Sequence, residues 1–152
     1  MSLDLTKGQR LNLTKGTNIK NIKVCLGWDT NNLGNEEYDL DVSAFILNKD
    51  GKLAGNEDVV FYNQLEHPSK AIKSLGDDRS GKGDVTHSSD KEIITIDLTK
   101  VPPSKDKISF VVTIFKAKER KQNFGQVKNA FIRIVNSDND TEIMRFDLTE
   151  MY

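Results

Sequence analysis

A chain of 152 residues is most simply one domain, spanning residues 1–152, and it is long enough to bury a core without disulfides or a structural zinc. Its 22 basic and 23 acidic side chains leave a net charge of −1, which removes the electrostatic motive for nucleic-acid binding, and a single cysteine excludes a disulfide framework or a cysteine-built zinc cluster. Mean hydropathy is low, at −0.54, yet the apolar residues fall in ordered runs, no run reaches the length of a membrane span, and the N-terminus has no apolar signal core; the expectation is a folded, cytoplasmic protein.

The periodicity is mostly two. Leu11 and Leu13 alternate with polar neighbours, and Ile22, Val24 and Leu26 do the same before Gly27-Trp28-Asp29. Cys25 inside that run reads as a small buried hydrophobe, and Trp28 as the residue that closes one end of a core. Leu40, Val42, Ala44 and Ile46 mark one face of the next strand; Asp39, Asp41, Ser43 and Phe45 mark the other. Asn48-Lys49-Asp50-Gly51 predicts a hairpin turn with Asp-Gly at its tip. Val59–Tyr62 is a short apolar run, and the span from Gly76 to Lys91 is the longest irregular stretch, a length that favours function. Ile94, Ile96 and Leu98 alternate again. Pro102-Pro103-Ser104 breaks the chain before Ser109–Phe115, a run of β-formers with the pattern of a strand covered on both sides. Lys116 to Gln122 is the one helical candidate. A run through Phe131, Ile134 and Val135, a tight turn at Asp138-Asn139-Asp140, and Ile143–Leu148 complete the chain. Many short strands separated by turns, with no internal repeat and no linker, define an all-β class: a two-sheet β-sandwich with one short helical segment.

The acids are unevenly placed. From Val24 to Asn48 there is no lysine or arginine, yet Asp29, Glu36, Glu37, Asp39 and Asp41 all fall there. Residues i and i+2 of a strand share a face, so Asp39 and Asp41 point the same way with Cβ atoms roughly 6–7 Å apart, while Leu40 points inward. Two carboxylates so placed repel one another unless a hard cation sits between them, and calcium takes oxygens at about 2.3–2.6 Å. Asp29 stands where a strand gives way to a loop. The stretch Gly76–Asp84 adds glycines that let carbonyls turn toward a cation, with oxygens from Asp77, Asp78 and Ser80; Asp84, Asp90 and Glu92 extend the supply. Any single acid in a loop is ordinarily just solvated; the combination points to calcium. Glu36 and Glu37 are expected to be solvated.

Other motifs fail on inspection. Asp138-Asn139-Asp140 lacks the glycine and flanking helices of an EF-hand. Gly76–Gly83 comes close to a phosphate-binding loop, but Gly83 stands where Ser or Thr must reach magnesium, and two aspartates would face the phosphates. His67 and His87 sit in loop sequence with no cysteine or nucleophile elbow beside them and read as surface histidines. No catalytic residue is expected.

Taken together, these segments resemble the TerD family of tellurium-resistance and stress-response proteins. The resemblance lies in Gly27-Trp28-Asp29, Asp39–Phe45, Phe61–Leu65, Gly76–Gly81, Phe124–Val127, Ala130–Asn136 and Glu142–Leu148, in that order along nearly the whole chain. It implies a β-sandwich with a calcium site between loops at one end, mapped here onto Asp29, Asp39, Asp41, Asp77, Asp78, Asp90 and Glu92. It also implies a cytoplasmic, non-enzymatic role in tellurite resistance or chemical stress, with protein partners of that system. Three departures stand out. Asp78 replaces the family's usual asparagine, and Val85–Ser89 is inserted ahead of Asp90. The chain also stops at Tyr152, where family members continue with further strands and a helix. A missing strand would leave a sheet edge open, so an alternative reading is an interaction module built on that edge, with calcium only structural. A metal-assisted hydrolase is the weakest reading, because no nucleophile or base accompanies the acids.

Overall fold

The computed structural model describes residues 3–4, 18–28, 40–75, 90–114 and 130–148. Within them lie nine strands: β1 Leu3–Asp4, β2 Asn21–Gly27, β3 Leu40–Asn48, β4 Val59–Val60, β5 Ile72–Ser74, β6 Asp90–Asp97, β7 Lys105–Ile114, β8 Phe131–Asn136 and β9 Thr141–Asp147. They form two sheets, one of six strands in the order β1-β9-β8-β2-β6-β5 and one of three in the order β4-β3-β7. Every pairing is antiparallel except β1 with β9. The all-β sandwich expected from the period-two pattern is therefore what the chain builds. The helical candidate at Lys116–Gln122 and the Leu11–Leu13 run lie outside the described residues; the helical elements within them are short 3-10 turns at Asn56–Asp58 and Leu98–Lys100.

Alternation explains the core. On β3, Leu40, Val42, Ala44 and Ile46 are all buried, while Asp41, Ser43 and Phe45 on the opposite face are half-exposed. On β2, Ile22, Val24 and Leu26 face inward, in register with Ile96, Ile94 and Glu92 of β6. These aliphatics, with Val60, Ile72 and Ile114, form one cluster between the sheets. Full burial of each Leu, Ile or Val is worth roughly 1.5–3 kcal/mol, and this row is the main source of stability. The other face of the six-stranded sheet is covered as well, since Cys25, Phe131, Arg133 and Val135 are all buried. Cys25 is a buried thiol in no disulfide, as its place in the strand suggested.

Several turns form where turn chemistry predicts them. Gly51 takes φ +78° and its N–H donates to the Asn48 carbonyl at 2.9 Å. The turn does not lead straight into a paired strand, however. Residues after it are drawn into the 3-10 turn, and β4 pairs with β3 only at Ala44 and Phe45. Asp138–Asp140 makes the tight turn between β8 and β9, with Asp140 at φ 58°. Lys105 opens β7 right after the prolines, its N–H bonded to the Pro102 carbonyl at 2.9 Å.

One expectation is overturned. The run Ser109–Phe115 reads as a strand covered on both sides, but among the described residues β7 has β3 as its one ladder partner, and Val111 is 42 % exposed. Among the described residues the smaller sheet ends at β7, and Ser109, Val111 and Thr113 on the outward face of that strand are exposed.

Candidate acidic site and the opposite polar network

The strand registers bring the acid-bearing segments to one end of the sandwich. Gly27 at the end of β2 lies opposite both Asp90 and Phe131, the first residues of β6 and β8, and Leu40 at the start of β3 lies opposite Ile114 at the end of β7. Trp28, 3 % exposed, packs into the core there and closes this end, as expected of it.

Glu92 is the key residue. It occupies the inward row of β6, continuing the row of Ile96 and Ile94, and is 9 % exposed. Its Oε2 accepts a hydrogen bond from the backbone N–H of Val42 at 2.9 Å, from the other sheet. β4 pairs only with Ala44 and Phe45, so beyond its end the carboxylate serves the donor that a longer strand would have served. The bond clamps β6 to β3 and holds Glu92 beside the peptide that joins Asp41 to Val42. Asp41 itself lies on the half-exposed face of β3, opposite Thr113. The backbone of β3 at Val42 and the Glu92 carboxylate are thus brought together from strands 50 residues apart, while the Asp41 side chain stands on the other face of β3. Asp90 is the first residue of β6, and its backbone pairs with Gly27 across an irregularity in the ladder between Leu26 and Gly27. Its side chain, with Asp29, Asp39, Asp77 and Asp78, lies outside the described residues. Among the described residues no group of three His, Cys, Asp or Glu side chains converges as a metal site.

The donor set suits a hard cation. The acids named from the sequence offer carboxylate oxygens and no sulfur or imidazole.

The opposite end carries a second charged network that the sequence did not announce. Asp58, at the end of the 3-10 turn, is 2 % exposed. Its Oδ1 meets His67 Nε2 at 2.7 Å; its Oδ2 accepts from Lys105 Nζ at 2.6 Å and from the Ala54 N–H at 2.9 Å. Lys105 also donates to Asn48 Oδ1 at 2.9 Å. His67, read from sequence as a surface residue, is 5 % exposed. Its Nδ1 accepts from the Ser69 N–H at 3.1 Å, so Nε2 carries the proton and donates to Asp58. Burial alone raises the Asp58 pKa, but the hydrogen bonds from Lys105, His67 and Ala54 outweigh it and bring the carboxyl to about 2. Asp58, His67 and Ser69 Oγ, at 2.7 Å from Nδ1, line up like a catalytic triad. Their partners give the geometry a structural purpose. Ser69 Oγ accepts from the Ala71 N–H at 3.1 Å to shape its own turn, and Lys105 occupies the second Asp58 oxygen. The network ties the end of β3, the 3-10 turn, the β4–β5 connection and the start of β7 together. Sequence reading missed it because its members are local to nothing: Lys105 lies 47 residues from Asp58.

A β-sandwich with an oxygen-rich end and a self-neutralised opposite end is the class of protein that fold and site define. The TerD domain model matches residues 1–152, and the chain belongs to the TerD family. It is 47 % identical over 151 residues to tellurium resistance protein TerD of Serratia marcescens, covering 99 % of this chain and 77 % of that protein. It is 45 % identical over 152 residues to general stress protein 16U of Bacillus subtilis, again covering 99 % of this chain and 77 % of the relative. Among solved structures, a homologue of telluride resistance protein (TerD) from Streptomyces coelicolor A3(2) superposes with a TM-score of 0.63 at 22 % identity, over 84 % of this chain and 70 % of that one, which supports the fold.

Proposed function

We propose that this chain is a calcium-binding, non-enzymatic domain acting in the cytoplasm in tellurite resistance or the wider response to chemical stress, with protein partners of that system. Membership of a family whose similar members are named for tellurium resistance and general stress supports the biological setting. The observation that carries the calcium reading is Glu92: a carboxylate on the core-facing row, fixed by the Val42 N–H, at the end of the sandwich where the basic-free segment Val24–Asn48 leaves β2 and re-enters at β3. Asp41, Glu92 and Asp90 are proposed as the strand-borne part of the site, with Asp29, Asp39, Asp77 and Asp78 completing it from the connecting segments. The bound ion would cancel repulsion between these acids and join segments of both sheets, so binding would stabilise the fold.

Isothermal titration with calcium, run beside melting curves in calcium, magnesium and chelator, tests this. The expected result is saturable calcium binding and a raised melting temperature, with a much smaller effect of magnesium, whose strict octahedron suits a crowded site poorly. Equal melting temperatures in calcium and chelator would overturn it.

A further inference from the structure

Lys105 Nζ touches two groups at once. It donates to the Asp58 carboxylate at 2.6 Å and to the side-chain amide oxygen of Asn48 at 2.9 Å. Asn48 and Lys105 face each other in the β3–β7 ladder, beside the irregularity between Leu47 and Asn48. Both backbones are fixed there. The Asn48 N–H donates to the Lys52 carbonyl, the Asn48 carbonyl accepts from Gly51, and the Lys105 N–H donates to the Pro102 carbonyl, each at 2.9 Å. The Lys105 and Asp58 side chains are 8 % and 3 % exposed, so their contact is largely shielded from water.

An amine, a carboxamide and a buried carboxylate within hydrogen-bond reach are the parts of an acyl transfer. The amine is the nucleophile and the amide carbon its target. The carboxylate takes a proton from the amine and hands it to the leaving group. The fold supplies proximity, because Lys105 already rests on the oxygen of the amide it would attack, one C=O bond of about 1.23 Å from the target carbon. Asp58 suits the role of base better than that of target. Burial raises its pKa, but hydrogen bonds from Lys105, His67 and Ala54 hold it ionised, and a carboxylate anion resists nucleophilic attack. Proton transfer from Lys105 to Asp58 is uphill from this ion pair, so the reaction is slow. The neutral pair it creates loses no free energy to burial.

We propose that Lys105 and Asn48 join in an intramolecular isopeptide bond within the folded chain, with Asp58 as the catalytic proton carrier. Lys105 gives one ammonium proton to Asp58 Oδ2. The free amine attacks Asn48 Cγ, and the carbonyl π pair moves to Oδ1. Asp58 passes its proton to Nδ2 and takes a second from Nζ. The Cγ–Nδ2 bond breaks, the pair on Oδ1 re-forms the carbonyl, and ammonia leaves, removing the last Asp58 proton as ammonium. One C–N bond forms and one breaks, with no oxidant or reductant. The link would tie β3 to β7 between residues 57 positions apart and restrict the unfolded chain accordingly.

A hydrogen bond leaves the mass of the chain unchanged, whereas the link removes one ammonia. The intact chain, held folded in buffer for increasing times, is denatured, weighed and digested with trypsin. The expected result is a growing fraction lighter by one ammonia. Its digest should hold a branched peptide joining Val24–Lys49 to Val101–Lys107, because trypsin cannot cut after a linked Lys105. The same incubation in urea should give no link, since the three groups meet only in the fold. Asn48→Ala keeps the Lys105–Asp58 pair and should give neither the mass loss nor the branched peptide. Asp58→Ala, in the fraction that folds, should slow the link by about a hundredfold or more. The parent chain and Asn48→Ala decide the matter even if the Asp58 variant unfolds. An unchanged mass at all times would overturn the proposal. So would ammonia loss confined to the Val24–Lys49 peptide, or loss of water with Lys105 joined to Asp58.

Discussion

The two ends of this sandwich handle buried acid in opposite ways. At one end Asp58 is satisfied within the chain by a lysine, an imidazole and a backbone N–H, all within 2.9 Å. At the other, Glu92 is bonded to a segment, Val24–Asn48, that holds five acids, Asp41 among them, and no lysine or arginine. The first end carries its own cation. The Val24–Asn48 segment at the second supplies none of its own, and the proposed function has the cation come from solution there. The contrast teaches that burial of a carboxylate is not in itself a sign of function; what matters is whether the sequence supplies the counter-charge.

The sharpest way to break the comparison is to remove the self-neutralised acid. Asp58→Ala leaves Lys105, His67 and the Ala54 N–H without their shared acceptor at a position where Lys105 is 8 % exposed. A cost of about 3–5 kcal/mol is expected from urea unfolding, because an uncompensated charge is left inside. Calcium binding, at the other end, should survive in whatever fraction remains folded. The pH dependence has a definite sign. Asp58 falls from 3.8 to about 2 on folding, so its contribution is complete above the unfolded value and is lost as pH drops through the folded one. Stability should decline between about pH 4 and pH 2. The double variant Asp58→Asn with Lys105→Met should show a shallower decline.

At the oxygen-rich end the expected effects are smaller and depend on the ion. At calcium about 100 times its dissociation constant, linkage gives roughly 2.7 kcal/mol, and each kcal/mol raises the melting temperature by about 2–4 °C in a domain of this size. Glu92→Gln tests this well, because the amide oxygen can still accept from the Val42 N–H while the charge is gone. The variant should melt like the parent protein in chelator and lose the calcium increment. Asp39→Ala and Asp41→Ala should lose it too, whereas Glu36→Ala and Glu37→Ala should keep it. Loss in the glutamate pair with retention in the aspartate pair would relocate the site.

Much of this was legible in the sequence. Alternation at Leu40–Ile46 and Ile22–Leu26 placed the core rows, and the same alternation put Asp41 on the outer face of β3. Glu92 was named among the acids, but its inward direction was not read, although Ile94 and Ile96 carry the signal: two residues before an inward isoleucine, the side chain also points inward. The Asp58 network was invisible because a loop histidine and a lysine after two prolines have no local pattern that joins them. The exposure of β7 was misjudged for a related reason. Composition records what a strand can tolerate on each side; how many neighbours it receives depends on where the sheet stops.

The smallest effect belongs to the turn that leads into the self-neutralised end. Gly51 has φ +78°, in the left-handed region, and a Cβ built there would meet nothing within 4 Å. The cost of Gly51→Ala is therefore conformational alone, with no clash added. About 1 kcal/mol is expected from the strained backbone, partly offset by the lower entropy of the unfolded chain. Gly51→Asn should cost less, since Asn accepts the left-handed region more readily. Neither variant touches Asp58 or Glu92, so both the acid-unfolding profile and the calcium increment should match the parent protein. If either one moved with the turn, the two ends would be coupled through β3, which runs from Leu40 to Asn48, and the separation drawn between them would be wrong.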